Sequence, residues 1–120
     1  MTLPGPAIDR AVLAELSAGE PEFEREIIQR YQHLNLEDAA MLLAAVDARD
    51  LAQARHAAHR IKGASRTVGA NALAAVSAEI EDATRIGDWS AIDSRMDAFR
   101  RELARIAEYI AAHRSAPLAP

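Results

Sequence analysis

The feature that most constrains the fold is a set of apolar residues near the C-terminus that recur at alternating steps of four and three. They are Ile92, Met96, Phe99, Leu103, Ile106 and Ile110. This spacing places all six on one face of an α-helix. A coiled coil has the same spacing, but three further amphipathic segments with short connections precede this one in the same chain. We therefore predict an all-α fold, an antiparallel up-down four-helix bundle with a short additional N-terminal helix.

Each of the other predicted helices has its own apolar stripe. The second is predicted to bury Phe23, Ile27, Tyr31, Leu34, Met41 and Ala45. The third is predicted to bury Leu51, Ala54, Ala58, Ile61, Ser65 and Val68. The fourth is predicted to bury Leu73, Val76, Ile80 and Ala83. These stripes recur mainly at three- and four-residue steps, as the core faces of a bundle require.

Glycine, proline and capping residues mark the predicted boundaries. The first is a short helix that ends at Gly19, and the second runs from Pro21 to Ala48 with local loosening at 35–38. The third is capped by Asp50 and ended by Gly69, and the fourth is capped by Asn71 and closed by Gly87 and Asp88. The fifth is opened by Ser90, which forms a capping box with Asp93. As domains, we predict a lead-in at 1–6, the bundle at 7–113 and a flexible proline-containing tail at 114–120.

Composition limits the classes of function. The chain has 120 residues, enough for one packed core, and its low aromatic content of 4% leaves alanine and aliphatic side chains to build that core. It has no cysteine, so disulfides and cysteine metal sites are excluded. The net charge of −4 argues against nucleic-acid binding. No apolar run approaches ~18 residues and no signal peptide is recognisable, so we expect a cytoplasmic protein without membrane insertion.

The candidate functional residue is His59, which lies off the apolar stripe of the third helix. Lys62 and Gly63 follow it by three and four positions and therefore neighbour it on the helix surface. Helical side chains lean back over the preceding turn, so residue 63 would cover the imidazole, and glycine covers nothing. A glycine inside a helix costs ~1 kcal/mol relative to alanine, which indicates that something must approach the histidine closely.

Local charge supports a histidine that carries an anion. Between Arg49 and Arg66 the chain has five cations and one anion. We expect this cationic neighbourhood to keep the imidazole neutral and nucleophilic near pH 7 and to attract an attached anionic group. An exposed nucleophilic histidine beside the ammonium of Lys62 suits a phosphate-carrying role.

These residues resemble the signature of histidine-containing phosphotransfer (HPt) domains. The motif is His59-x-x-Lys62-Gly63 followed by a small-residue run and Val68-Gly69-Ala70. The run 58–70 is particularly similar to HPt domains at the C-terminus of hybrid sensor kinases. The similarity extends from about Leu13 to about Ile110 and includes Phe23, Leu73, the Ile80-Glu81 pair and Gly87-Asp88.

The resemblance implies a monomeric phosphocarrier in a two-component phosphorelay, without an ATP site and so not a complete enzyme. His59 would accept a phosphoryl group from a receiver-domain aspartate and pass it to the aspartate of a second receiver. Lys62 would support the charge of the phosphate, and Gly63 would admit the receiver. No cofactor or metal is expected on this chain, and Mg²⁺ is expected on the partner receiver. The chain would be either free-standing or the cytoplasmic C-terminal domain of a membrane-bound kinase.

Supporting roles at the site are predicted for four further residues, namely His56, Ser65, Arg66 and Arg85. Ser65 is expected to bond the backbone or to point toward the phosphate. Glu81 and Arg85 form an i, i+4 pair, and of the two Arg85 is the better candidate for phosphate contact because Glu81 is an anion.

Two other classes of function remain open. His56 and His59 could form a His-x-x-His metal pair, although bundle metal sites usually recruit Glu-x-x-His and neither position fits that pattern. A plain interaction bundle with an incidental motif is the other alternative. A phosphate-binding P-loop is excluded because no Gly-Lys-Ser/Thr follows Gly63 and Gly69.

Overall fold

The computed structural model describes residues 5–115, with side chains through residue 113, and consists of five helices joined by short connections. They are α1 (Arg10–Leu16), α2 (Pro21–Asp47), α3 (Leu51–Val68), α4 (Asn71–Ile86) and α5 (Trp89–Ser115). Helices α2 to α5 form the bundle, with the closest packing between α3 and its neighbours α2 and α4, and α1 lies against α2 and α3. The prediction of an all-α bundle with a short extra N-terminal helix is confirmed.

The apolar stripes of the last three helices are confirmed by burial. The predicted members on α3, α4 and α5 are buried, except Leu51 and Leu103, which are half-buried. The stripe predicted for α2 is wrong at three of its six positions, because Phe23, Leu34 and Met41 are exposed. Tyr31 and Ala45 are buried as predicted, and Ile27 is half-buried. The whole buried face of α2 consists of Ile28, Tyr31, Asn35, Asp38, Ala39, Leu42, Ala45 and Val46. Asn35 and Asp38 are polar, so a search for apolar periodicity leaves them out.

The loosening predicted at 35–38 is also wrong, since α2 is continuous from Pro21 to Asp47. Asn35 and Asp38 both face inward. The Asp38 carboxylate accepts a hydrogen bond from Arg60 Nε on α3 at 3.0 Å. Polar residues that are predicted to interrupt the helix therefore contribute to its packing.

Three predicted helix boundaries are displaced by one to three residues, and the first is the end of α1, which lies at Leu16 rather than at Gly19. Asp50 caps α3 as predicted, accepting from the Gln53 backbone N–H at 3.1 Å. The cap of α4, however, is Ala70, and Asn71 is the first helical residue. The capping box at Ser90 and Asp93 is wrong: Asp88 accepts from the Ala91 backbone N–H, while Asp93 forms a two-pronged ion pair with Arg49 at 2.8 and 3.0 Å.

Gly69 ends α3 as predicted and also fixes α1 against the end of that helix. Its φ of 85° is left-handed, and its carbonyl accepts a hydrogen bond from the Asp9 backbone N–H at 2.9 Å. A Cβ at this position would lie 2.9 Å from Cβ of Val12. Only glycine combines this backbone conformation with such a close approach.

The outer limits of the predicted bundle are only partly within the described residues. Helix α5 continues through Ser115, two residues past the predicted end at 113. The predictions made for residues 1–4 and 116–120 lie outside the described residues. None of the helices within residues 5–115 is both long enough and apolar enough to cross a membrane.

Candidate functional site

His59 lies near the middle of α3 and points outward beside α4. Its side chain is 64% exposed, yet one edge of the imidazole ring contacts a carboxylate of α4. The Nδ1 atom lies 2.9 Å from Oε2 of Glu81. Within residues 5–115 no partner is found for the other ring nitrogen, Nε2. The imidazole is therefore oriented at one nitrogen and open to solvent at the other.

Glu81 is the centre of the site, although its carboxylate is almost wholly buried. It belongs to α4 and is 2% exposed. The Lys62 ammonium lies 2.5 Å from Oε1. The Oε2 atom contacts both His59 Nδ1 and, at 3.1 Å, Nη2 of Arg85. One buried carboxylate thus joins the histidine, the lysine and an arginine, which is the arrangement that a buried charge needs.

The ionisation of Glu81 fixes the role of each imidazole nitrogen. Burial raises the pKa of Glu81, but the hydrogen bonds and charges of Lys62 and His59 outweigh burial, so the pKa lies below its ordinary value. The carboxylate is consequently ionised near neutral pH and can only accept hydrogen bonds. Nδ1 must then donate to it, which leaves the lone pair of a neutral imidazole on Nε2, the nitrogen that faces solvent.

Gly63 leaves the turn beside His59 uncovered, as the sequence predicted. A Cβ built at this position meets no atom within 4 Å, so the space is open. The Gly63 carbonyl accepts a hydrogen bond from Thr67 Oγ1 at 3.0 Å, which is a local helix contact. Neither packing nor a positive φ requires glycine here.

The predicted supporting residues do not all lie at the site. His56 and Arg66 are exposed one turn before and two turns after His59, on the same side of α3. Arg85 reaches the site through Glu81. Ser65 does not: it is fully buried, and its hydroxyl lies 2.9 Å from that of Tyr31. The prediction that Ser65 bonds the backbone or points toward the phosphate is therefore wrong.

Glu81 is the residue that sequence reasoning underestimated. The sequence predicts it only as the i, i+4 partner of Arg85 and ranks Arg85 above it, whereas Glu81 is buried and contacts His59 directly. The expected cationic neighbourhood of the imidazole is incomplete for the same reason, because it considers α3 without the facing helix, and the carboxylate that contacts the ring belongs to α4. A signal existed: Glu81 lies four residues after buried Ser77, in helical register with the core face of α4.

An apolar flank adjoins the open turn on the other side of α3. It consists of Leu16, Phe23, Ile27, Leu34 and Ala64, from three helices. A shallow hollow runs along it, and the Arg30 side chain lies at its edge. Exposed apolar surface next to a polar site is typical of a protein docking surface.

Comparison with known proteins places this site in a family. Over residues 26–109 the chain matches the family model of the Hpt domain. The "phosphorelay intermediate protein rdeA" of Dictyostelium discoideum is 29% identical over 103 residues, which are 86% of this chain and 41% of that protein, so the chain spans about two fifths of that relative. The crystal structure of "histidine-containing phosphotransfer protein B (HptB)" of Pseudomonas aeruginosa matches with a TM-score of 0.84 at 26% identity, covering 95% of this chain and 100% of that one.

The matched region contains the whole His59–Glu81–Lys62 site and the helices that position it. Since the family model covers more than half of the chain, and a solved member superposes over nearly all of it, the chain belongs to the Hpt domain family.

Proposed function

We propose that this protein is a phosphocarrier of a two-component phosphorelay, in which His59 accepts a phosphoryl group from a receiver-domain aspartate and yields it to the aspartate of a second receiver. The observation that carries the proposal is the imidazole itself: Nδ1 is bound by the Glu81 carboxylate, and Nε2 faces solvent beside the uncovered Gly63 turn. Family membership and the relatives' printed descriptions support it.

In this proposal Nε2 is the nucleophile. Its lone pair attacks the phosphorus of the aspartyl phosphate in line with the departing carboxylate oxygen, and the product is a phosphoramidate. Such a transfer depends on positioning and charge neutralisation more than on covalent assistance. Glu81 orients the ring, and the ammonium of Lys62, which is anchored 2.5 Å from that carboxylate, neutralises charge on the group in transit.

The receiver would dock over the open turn and the apolar flank. Gly63 removes the side chain that would otherwise stand over His59, and the flank provides apolar area beside it. His56 and Arg66 extend the surface along α3 in both directions. The receiver thus supplies the acidic pocket and its Mg²⁺, and this chain supplies the nucleophile and the docking surface.

Within this proposal the protein acts as half of an active site and is not a complete enzyme. The setting that we propose is cytoplasmic, with the chain monomeric and either free-standing or the C-terminal domain of a membrane-bound hybrid sensor kinase. The sequence directly upstream of this domain in its gene would distinguish the last two, because a receiver followed by a linker indicates the kinase.

The test is transfer of labelled phosphate from a phosphorylated cognate receiver to two histidine variants. We expect His59→Gln to fold normally and take no label, because an amide nitrogen is not a nucleophile. His56→Gln is the matched control, one turn away on the same exposed surface, and should be labelled. Labelling of His59→Gln at the wild-type rate would refute the assignment, and an absence of label in wild type would favour a plain interaction bundle.

A further inference from the structure

The negative charge of Glu81 goes beyond what orientation of His59 requires. A neutral amide at position 81 could accept the same hydrogen bond from Nδ1. The chain instead buries a carboxylate, with its desolvation cost, and surrounds it with Lys62 and Arg85 to keep it ionised. A negative charge that is maintained in this way stabilises a positively charged imidazole ring, and in the proposed cycle the ring is positively charged when His59 is phosphorylated.

We propose that the Glu81 carboxylate keeps Nδ1 of phosphorylated His59 protonated and so holds the phosphoryl group as a labile, transfer-ready imidazolium phosphoramidate. This inference rests on the proposed function of His59. It assigns to Glu81, as a positioning residue, control over how readily the carrier releases its phosphoryl group.

The proposed steps balance without any proton donor. On entry, the Nε2 lone pair forms the N–P bond, the O–P bond of the aspartyl phosphate breaks, and the donor aspartate leaves as a carboxylate. Nδ1 keeps its proton throughout, so the ring gains one positive charge that Glu81 offsets at 2.9 Å. On exit, the acceptor carboxylate attacks phosphorus and the N–P electron pair returns to Nε2, which regenerates the neutral imidazole.

Loss of the Nδ1 proton would change the leaving group. Departure from a deprotonated ring would release an imidazolate anion, which is a far poorer leaving group than neutral imidazole. An anion that accepts a hydrogen bond from Nδ1–H favours the protonated ring over the deprotonated one, as the buried aspartate of a Ser-His-Asp triad favours its imidazolium. Glu81 therefore extends the pH range over which the phosphoryl group can leave.

The charges around Glu81 predict the direction in which each substitution shifts the protonation of phosphorylated His59. Arg85 Nη2 binds the same Oε2 atom that accepts from Nδ1, so it competes with the histidine for that oxygen. Charged groups on the neighbouring helices are paired with each other: Asp38 of α2 with Arg60, Arg95 of α5 with Glu79, and Asp82 with Arg85. Lys62 remains on Oε1, and exposed His56 and Arg66 lie one and two turns from the ring. Glu81 is thus the only anion that contacts the ring among the described residues.

The experiment phosphorylates the full chain with phosphoramidate and follows the phosphohistidine by ³¹P NMR between pH 5 and 10. In parallel, the half-life of the phosphoprotein is measured across the same range after the donor is removed. We expect Glu81→Gln to lower the titration midpoint of the phosphohistidine ring by about one pH unit or more, which corresponds to a tenfold lower affinity of Nδ1 for its proton. The pH above which the half-life lengthens should fall with it. Arg85→Met should move both in the opposite direction.

The matched control is Asp82→Asn, which removes a 73% exposed carboxylate beside Glu81 that contacts Arg85 and not His59. We expect its midpoint to stay close to the wild-type value. A midpoint unchanged in Glu81→Gln, or moved equally in Asp82→Asn, would overturn this inference alone, provided that the label depends on His59. A wild-type chain that takes no label at His59 would overturn both this inference and the proposed function. Should Glu81→Gln fail to fold, Arg85→Met provides the test: a higher titration midpoint of the phosphohistidine supports the inference, and an unchanged midpoint overturns it.

Discussion

Replacement of Gly63 separates a functional glycine from a structural one, because the structure offers no packing reason for it. The position is exposed, the helix continues through it with an ordinary backbone, and an added Cβ meets nothing within 4 Å. Gly63→Ala should therefore relieve the entropic penalty of glycine in a helix and stabilise the domain by about 0.5–1 kcal/mol. For a domain of this size the melting temperature should rise by roughly 2–5 °C.

Gly63→Leu should also fold, since the side chain enters solvent rather than the core. A helical side chain at 63 leans back over the preceding turn, where His59 presents Nε2. The leucine would then occupy space that the receiver must enter, and a misplacement of about 1 Å at the reacting atoms can reduce transfer on the order of 10²-fold. Gly63→Ala should lose much less, because a methyl group does not reach over the ring.

The assay pairs thermal unfolding with the rate of transfer from a phosphorylated receiver on the same samples of wild type, Gly63→Ala and Gly63→Leu. The expected pattern is two stable variants of which only the leucine variant transfers poorly. Unfolding of Gly63→Leu would show that glycine is needed for packing. Normal transfer by a folded Gly63→Leu would show that the open turn has no role in access, and the docking model would be wrong.

Three further predictions address charge, backbone and acid sensitivity. Lys62→Ala should slow receiver-dependent labelling while the domain stays folded, with Lys62→Arg intermediate because a guanidinium places its charge less compactly, as transfer kinetics can show. Gly69→Ala should lose about 2 kcal/mol in urea unfolding, opposite in sign to Gly63→Ala, because its φ of 85° and the 2.9 Å approach to Val12 Cβ both oppose a side chain. The pKa of Glu81 lies below its ordinary value, so ionised Glu81 stabilises the fold above the unfolded-state pKa, and this stabilisation is lost as pH falls through the folded-state pKa. Below about pH 4.5 the free energy of unfolding of Glu81→Gln should therefore fall less steeply with pH than that of wild type, which acid titration of the folded fraction can show.

The predictable part of the fold is the part that apolar spacing encodes. The seam of α5 has apolar residues at nearly every inward position, so the periodicity identifies the correct face. On α4 the apolar stripe is also correct, although the polar residues Ser77, Glu81 and Thr84 are buried beside it. Helix α2 differs because its inner face includes the polar residues Asn35 and Asp38, while the apolar residues Phe23, Leu34 and Met41 are exposed. Where apolar residues at helical spacing lie on the surface, as they do on α2, apolar periodicity alone includes exposed positions.

The candidate site divides in the same way. His59, Lys62 and Gly63 lie within one turn of α3, so the geometry of a single helix predicts that they adjoin. Glu81 comes from α4, 22 residues from His59, and the sequence does not state which residues of two packed helices touch. The signal that it is buried exists in its register with Ser77, but a charged residue on a core face is read as an exception until its partners are known.

The orientation of His59 depends on how α3 is held between its two neighbours. On one side, Asp38 of α2 binds Arg60 at 3.0 Å, and on the other, Glu81 of α4 binds His59 at 2.9 Å. Adjacent residues of a helix point about 100° apart, so these two contacts resist rotation of α3 in both directions. The buried hydroxyl pair of Tyr31 and Ser65 adds a third contact between α2 and α3, about one and a half turns further along α3. The imidazole is therefore positioned by polar contacts to both neighbouring helices. The sequence of α3 alone predicts the nucleophile but not the residues of α2 and α4 that orient it.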